Sequence, residues 1–315
     1  MATLEKVAVS GLNGFGMTVP DLETASKFYG TFGLNVAHSA DGQALLCNCP
    51  GRTGDEIVLT RGDQKRLHHL SFRIEPETVE RFVAQIEASG AKVHTQAPAG
   101  WQREGLWFED PWGTWIHLRP AAATAQPRVN MPTYNLGGEA RRVDVNLWQS
   151  LDKARVPLRI GHLLIFTNEW ERAERFYSDV LGLRTTDRAA GKVAFMAAGV
   201  GVIDHHCFGL INSTHRGFQH ASFQVPGFDD IGYGAWRMRE AGYGDGFGPG
   251  RHAIASNLFH YVRDPWGSWV EFYADMDKIT SAWVCRDWND LPYTWGPRWS
   301  PEFWGKDMNA NLEPR

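Results

Sequence analysis

Residues 264–273 read DPWGSWVEFY, and residues 110–119 read DPWGTWIHLR. The agreement continues upstream, where GFQHASFQV (217–225) matches RLHHLSFRI (66–74), and HLLIFTNEWERAERFYSDVLGL (162–183) matches GFGMTVPDLETASKFYGTFGL (14–34). A scaffold met twice in one order is a duplication, and it decides the fold before any single element is assigned. Laid on one another, His162, His220 and Glu271 of the second copy face Gly14, His69 and His117 of the first. Two histidines and one carboxylate are the usual protein ligands of a non-heme iron(II) site with open positions. Only the second copy carries that set in full.

Each copy divides again. Asp21 is an N-cap, and Leu22, Ala25, Phe28 and Tyr29 supply the apolar stripe of a short helix that stops near Gly33. LHHLSFRI follows as a strand, ETVERFVAQIEASG as a helix ending on Gly90, and further strands close through the Asp110–Gly113 turn. The chain therefore reads as α+β, with four units of strand, helix and strands. The expected division is an N-terminal domain over 1–125, a linker over 126–157, a second domain over 158–275 and a tail over 276–315. The linker breaks the period and carries Pro127, Pro132, Gly137 and Gly138.

At 315 residues, with 43% apolar and 22% charged residues, the chain has the composition of a soluble globular protein. A net charge of −4 carries no nucleic-acid footprint and no pull toward anionic membranes. MATLEKVAVSG has no apolar core of a signal peptide, so a cytoplasmic protein is expected. Cys47, Cys49, Cys207 and Cys285 show neither zinc spacing nor a disulfide framework, which fits a reducing compartment. Five of the 14 tryptophans (Trp283, Trp288, Trp295, Trp299 and Trp304) lie beyond residue 276. They are expected to pin the tail onto the body, or to roof a pocket for an aromatic ligand. A tail so rich in tryptophan also suits burial on a neighbour, and a homo-oligomer is expected.

His162 opens the first strand of the third unit, His220 that of the fourth, and Glu271 lies on the last strand of the fourth. Separations of 58 and 51 residues exclude a local helical motif; adjacent equivalent strands are needed to bring them together. Along its strand Glu271 shares a face with Trp269 and Tyr273, where an unpaired carboxylate would cost several kcal/mol and a metal removes that cost. A lone strand-start histidine is more often hydrogen-bonded core than ligand, and His69 and His117 are read that way, as packing or a vestigial site. His205, His206, His252 and Tyr261 lie within twenty residues of a proposed ligand. If Arg263 and Trp269 close the hairpin, Tyr261 stands opposite Glu271; a one-residue slip presents His260 instead. A titratable histidine and a phenol beside a metal suit proton transfer to and from a bound hydroxyl.

The order HLLIFT, DHHCFGL, FQHASFQV, GRH, FHYVRDPWGSWVEFY resembles the type I extradiol ring-cleavage (catechol) dioxygenases of the vicinal oxygen chelate superfamily. The resemblance covers nearly the whole chain and includes the ten-residue gap from Tyr261 to Glu271. It implies four βαβββ modules paired into two similar domains, with the active centre in the second. It further implies iron(II), or less often manganese(II), on His162, His220 and Glu271, with a catechol binding through both vicinal oxygens and O2 beside it. His206 corresponds to the family's acid–base histidine, although distance along the chain slightly favours His205. His252 and Tyr261 match the pair that hydrogen-bonds the substrate hydroxyls. The ring would open beside the diol to a yellow muconic semialdehyde-type product, in the degradation of aromatic compounds. Leu164 and the GPGRHAIASNLFHY loop depart from typical members and leave the ring substituents open, as does the choice of Arg251 or Arg298 as a carboxylate partner. The alternatives are a glyoxalase-like metal-dependent isomerase or lyase, which commonly adds a fourth protein ligand, and a non-catalytic small-molecule-binding protein.

Overall fold

The computed structural model describes residues 6–101, 103–122, 133–147, 157–291, 293–298 and 303. The first copy contains β1 (Gly11–Val19), β2 (Asn35–His38), β3 (Ala44–Asn48), β4 (Ile57–Arg61), β5 (Arg66–Ile74), β6 (Leu106–Glu109) and β7 (Trp115–Pro120), with helices Leu22–Phe32 and Val79–Ala88. The second contains β8 (Arg159–Thr167), β9 (Arg184–Ala189), β10 (Val193–Ala197), β11 (Ile203–Asp204), β12 (Phe208–Asn212), β13 (Gly217–Gln224), β14 (Gly246–His252), β15 (Leu258–Arg263) and β16 (Trp269–Ala274), with helices Trp170–Leu181 and Phe228–Glu240. Beyond it come β17 (Lys278–Ile279), β18 (Arg286–Trp288) and β19 (Tyr293–Trp295). The fold is α+β, two copies of the paired-module architecture expected from the repeat. In the second module the strand after the helix is reduced to one isolated bridge, His94 to Trp107, followed by a bend at Thr95 and Gln96 and the Pro98–Trp101 turn.

Local chemistry explains the repeated words of the sequence. Asp21 accepts from the backbone N–H of Glu23 and Thr24 at 3.3 and 3.0 Å, and Gly33 ends that helix at φ 109°. In both Asp-Pro-Trp-Gly turns the aspartate Oδ1 gathers two N–H groups: Trp112 and Thr114 on Asp110, Trp266 and Ser268 on Asp264, at 2.8–2.9 Å. The glycines sit at φ 83° and 91°, which explains why the fourth position is glycine.

One sheet runs β2-β3-β4-β1-β5-β7-β6, a second β18-β9-β10-β12-β8-β13-β16-β15-β14-β19, and a third pairs β11 with β17. The first strands of paired modules lie antiparallel at each centre, β1 with β5 and β8 with β13. The apolar core runs across both copies, and Phe32 stacks on Phe272 at 3.9 Å between them. Two of the short strands after residue 276 join the edges of the second sheet, β18 on β9 and β19 on β14. Trp283 donates to the Thr186 carbonyl at 3.0 Å, whereas Trp295 is exposed. Trp299 and Trp304 lie outside the described residues. No helix among the described residues is long and apolar enough to cross a membrane.

Candidate metal centre

Strand register assembles the site. His162 on β8 pairs with Ser222 on β13, Ser222 with Glu271 on β16, and Glu271 with Tyr261 on β15. Four side chains thus stand in one row on one face of the sheet, and His220, two residues before Ser222, shares that face. Arg263 closes the hairpin opposite Trp269, the register that places Tyr261 rather than His260 opposite Glu271. The ligand atoms of His162, His220 and Glu271 lie within 4.8 Å of one another, and all three residues are buried. Glu271 Oε2 is 3.0 Å from His162 Nε2 and 3.8 Å from His220 Nε2.

The ring nitrogens are set up for a cation. His220 Nδ1 donates to the side-chain carbonyl of Gln219, which leaves Nε2 as a lone-pair donor with no hydrogen-bond partner despite its burial. Burial pushes the His220 pKa down to about 3, so the ring is neutral, as a metal ligand must be. Burial opposes the charge on Glu271, but hydrogen bonds from His162 and His252 outweigh it and hold the carboxyl well below its usual range. The Ser222 hydroxyl donates to Glu271 Oε2, and Asn257 approaches Oε1 at 3.4 Å. A neutral His220 imidazole with an orphaned buried nitrogen, a second imidazole on His162 and an ionised carboxylate suit a divalent transition metal.

A cavity opens on this row, with His206, His252, Asn257 and Tyr261 on its polar side. The Tyr261 hydroxyl lies 3.3 Å from His252 Nε2, and burial, then Glu271, pushes the phenol pKa well above 10. Of the His-His pair only His206 lines the cavity, its ring 4.5 Å from that of His162. His205 turns away to Asp187 Oδ2 at 3.0 Å and approaches His206 Nδ1 at 3.1 Å. Burial, then the neighbouring His162, keeps His206 neutral. Leu164, Val193, Phe195, Ile211, Leu291 and Phe303 supply an apolar wall. Arg251 is not in that wall: it binds the Ser256 carbonyl at 2.6 Å and Asp275 at 2.9 Å. Arg298 is exposed.

Sequence reasoning missed Ser222, Gln219, Asn257 and Asp187. Two of these carried a signal in the repeat: Ser71 matches Ser222, and His68, which approaches His69 Nδ1 at 3.0 Å, stands where Gln219 supports His220. Asn257 sits in an irregular loop without a counterpart, beside Ala255 and Ser256 at φ 69° and 58°.

In the first copy the equivalent row is Gly14, Ser71, His117 and Trp107. Gly14 has φ 155°, and a Cβ there would lie 2.0 Å from the Glu56 carbonyl oxygen. Ser71 meets His117 Nδ1 at 2.8 Å, His117 Nε2 reaches the Glu104 carbonyl at 2.9 Å, and the ring stacks on Trp107. Both nitrogens of His117 are therefore engaged.

The sequence profile of the Glyoxalase/Bleomycin resistance protein/Dioxygenase superfamily matches residues 11–118 and 159–272. The chain is 34% identical over 310 residues to "Metapyrocatechase 2" of Cupriavidus necator, covering 96% of this chain and 93% of that protein. It is 24% identical over 268 residues to the "Manganese-dependent 2,3-dihydroxybiphenyl 1,2-dioxygenase" of Geobacillus genomosp. 3, covering 78% and 80%. Its fold is similar to that of an extradiol ring-cleaving dioxygenase from B. fuscum, with TM-score 0.77, 19% identity and coverage of 98% and 86%.

Proposed function

The chain belongs to the Glyoxalase/Bleomycin resistance protein/Dioxygenase superfamily and is a ring-cleaving dioxygenase, and from that premise we propose that it opens an uncharged, apolar-substituted catechol beside its diol with O2 and iron(II). The observation that carries this reading is the row His162–Ser222–Glu271–Tyr261 with His220 beside it, facing a cavity on its open side. His162, His220 and Glu271 would hold the metal. When bound, it supplies a place where the diol and O2 meet and exchange electrons.

The chain's own groups do the rest. Tyr261 and His252 are placed to hydrogen-bond a substrate hydroxyl and to stabilise its ionised form. His206, neutral and inside the cavity, is the acid–base residue, and His205 holds it through the Nδ1 contact. Ser222 and Gln219 orient two of the ligands. Among the described residues the ligand cluster has three members, so the fourth protein ligand common in glyoxalase-like isomerases has no candidate.

The apolar wall argues for the substituent. No lysine or arginine lines the cavity among the described residues, and Arg251 is already paired with Asp275. An ionised ring carboxylate would be buried without a partner, at a cost of several kcal/mol. The test is anaerobic reconstitution with iron(II) or manganese(II), followed by O2 uptake and spectra with alkylcatechols and with carboxylated catechols. The expected result is a yellow ring-opened product, iron outperforming manganese, and kcat/KM lower by at least about 100-fold for carboxylated substrates. Equal turnover of carboxylated catechols would contradict the substituent assignment alone; absence of ring-opened product from every catechol would overturn the function.

A further inference from the structure

The first copy puts arginines where the second puts its neutral polar residues. Arg73, two residues past Ser71 on β5, pairs in register with Arg119, two past His117 on β7. Their counterparts in the second copy are Gln224 and Tyr273. Together with Arg52 and Arg103 they border two adjoining lobes, of about 120 and 230 Å3, which share Asn13, Gly54, Asp55 and Arg119. His117 lines the larger lobe, so the pocket lies against the row that corresponds to the second copy's centre.

These guanidinium groups are half-buried and poorly partnered. Arg103 donates to the Asp55 backbone carbonyl at 2.7 Å, and Arg119 to the Asn13 side-chain oxygen at 3.4 Å. Arg52 comes no closer than 3.8 Å to Glu56, whose carboxylate already accepts from the N–H groups of Cys49 and Ile160. Buried nitrogens of Arg52 (Nη1), Arg73 (Nε) and Arg103 (Nη1) make no hydrogen bond. Burial lowers the pKa of Arg103 to about 10, and burial with repulsion from Arg52 lowers that of Arg73 although Glu75 attracts it. In the second copy, by contrast, Arg159 is held by both Asp204 and Gln224. The two paired arginines pack directly on glycines: a Cβ on Gly11 would lie 2.5 Å from Arg73 Nη2, and one on Gly54 2.5 Å from Arg119 Nη1.

Buried cations are ordinarily paired, and guanidinium matches the planar or tetrahedral oxygens of an oxyanion. We propose that the first copy binds a small oxyanion, of carboxylate or phosphate chemistry, between Arg103 and Arg119 in the larger lobe, with Arg73 lining the adjoining one. Asp55 and Glu104 border the same space and limit the occupant to one small anion, with Asn13 as an additional polar contact.

The experiment is calorimetric titration of the full-length, metal-loaded protein with sulfate, as a tetrahedral stand-in for phosphate, and separately with acetate. Ionic strength is held constant with sodium chloride. Saturable binding of at least one probe, one per chain, is expected, and the tighter probe tells which chemistry the pocket prefers. Arg119→Gln, which leaves the metal row intact, should weaken it about tenfold or more, as loss of a charge-assisted hydrogen bond does. Arg103→Gln is the second variant should the first fail to fold. No saturable heat from either probe in the wild type overturns the proposal. So does undiminished binding in a folded arginine variant, which would place the anion at the metal instead.

Discussion

The two copies share their turns, their central antiparallel strand pair and one serine, yet they treat the same row of the sheet in opposite ways. Ser222 supports a carboxylate in the second copy, while Ser71 supports the histidine that replaces it. His162 projects toward the centre in one; in the other, Gly14 has no room for any side chain against the Glu56 carbonyl. Glu56 itself has been drawn into joining the copies, since its carboxylate accepts from Ile160 N at 2.9 Å. The scaffold is maintained by caps, turns and a shared core, and the chemistry by a few positions on one face.

The largest effect that tests this contrast is removal of the carboxylate. Glu271→Gln should abolish turnover, whereas His117→Gln at the matching position should leave turnover intact; comparable losses in both would mean the copies are not divided as described. Next is His206→Phe, which should retain metal and substrate but lose about 10²–10⁴ in kcat. If steady-state assays find this variant fully active and His205→Phe dead, the choice within the pair is wrong.

The conserved geometry around the serines supplies a smaller contrast. Ser222→Ala should weaken metal affinity by about 10–100-fold in a competitive chelator titration, and Ser71→Ala should not change it.

The smallest effect concerns the first copy as packing. Burial holds His69 far below its ordinary pKa and His117 at about 4, so the folded state keeps both neutral while the unfolded chain protonates them near pH 6.5. The unfolded state then binds more protons between those values, and stability falls as pH falls, by about 1.4 kcal/mol per pH unit for each ring. Denaturant titration at pH 7 and pH 5 should show a shallower loss in His69→Gln; an unchanged slope would refute the burial argument.

The fold and the proposed ligand set were legible because duplication aligns distant residues. His162, His220 and Glu271 announce themselves against Gly14, His69 and His117, and the Asp-Pro-Trp-Gly turns mark where strands reverse. The hairpin register was legible only conditionally, since a slip exchanges Tyr261 for His260 and local sequence does not choose. Asn257 and Asp187 were hidden for another reason. Asn257 reaches Glu271 from an irregular loop, and Asp187 reaches His205 from β9, so neither contact has a sequence period. The shortened second module was invisible too, because nothing in the repeat marks the reduction of its strand to one bridge at His94.

The division of labour between the copies is tested most directly by metal stoichiometry. Iron bound per chain should be measured after anaerobic reconstitution and desalting, for the wild type, His162→Ala and His117→Gln. One iron in the wild type, none in His162→Ala and one in His117→Gln is the predicted result. A second iron in the wild type that disappears in His117→Gln, or stoichiometric iron in His162→Ala, would contradict it.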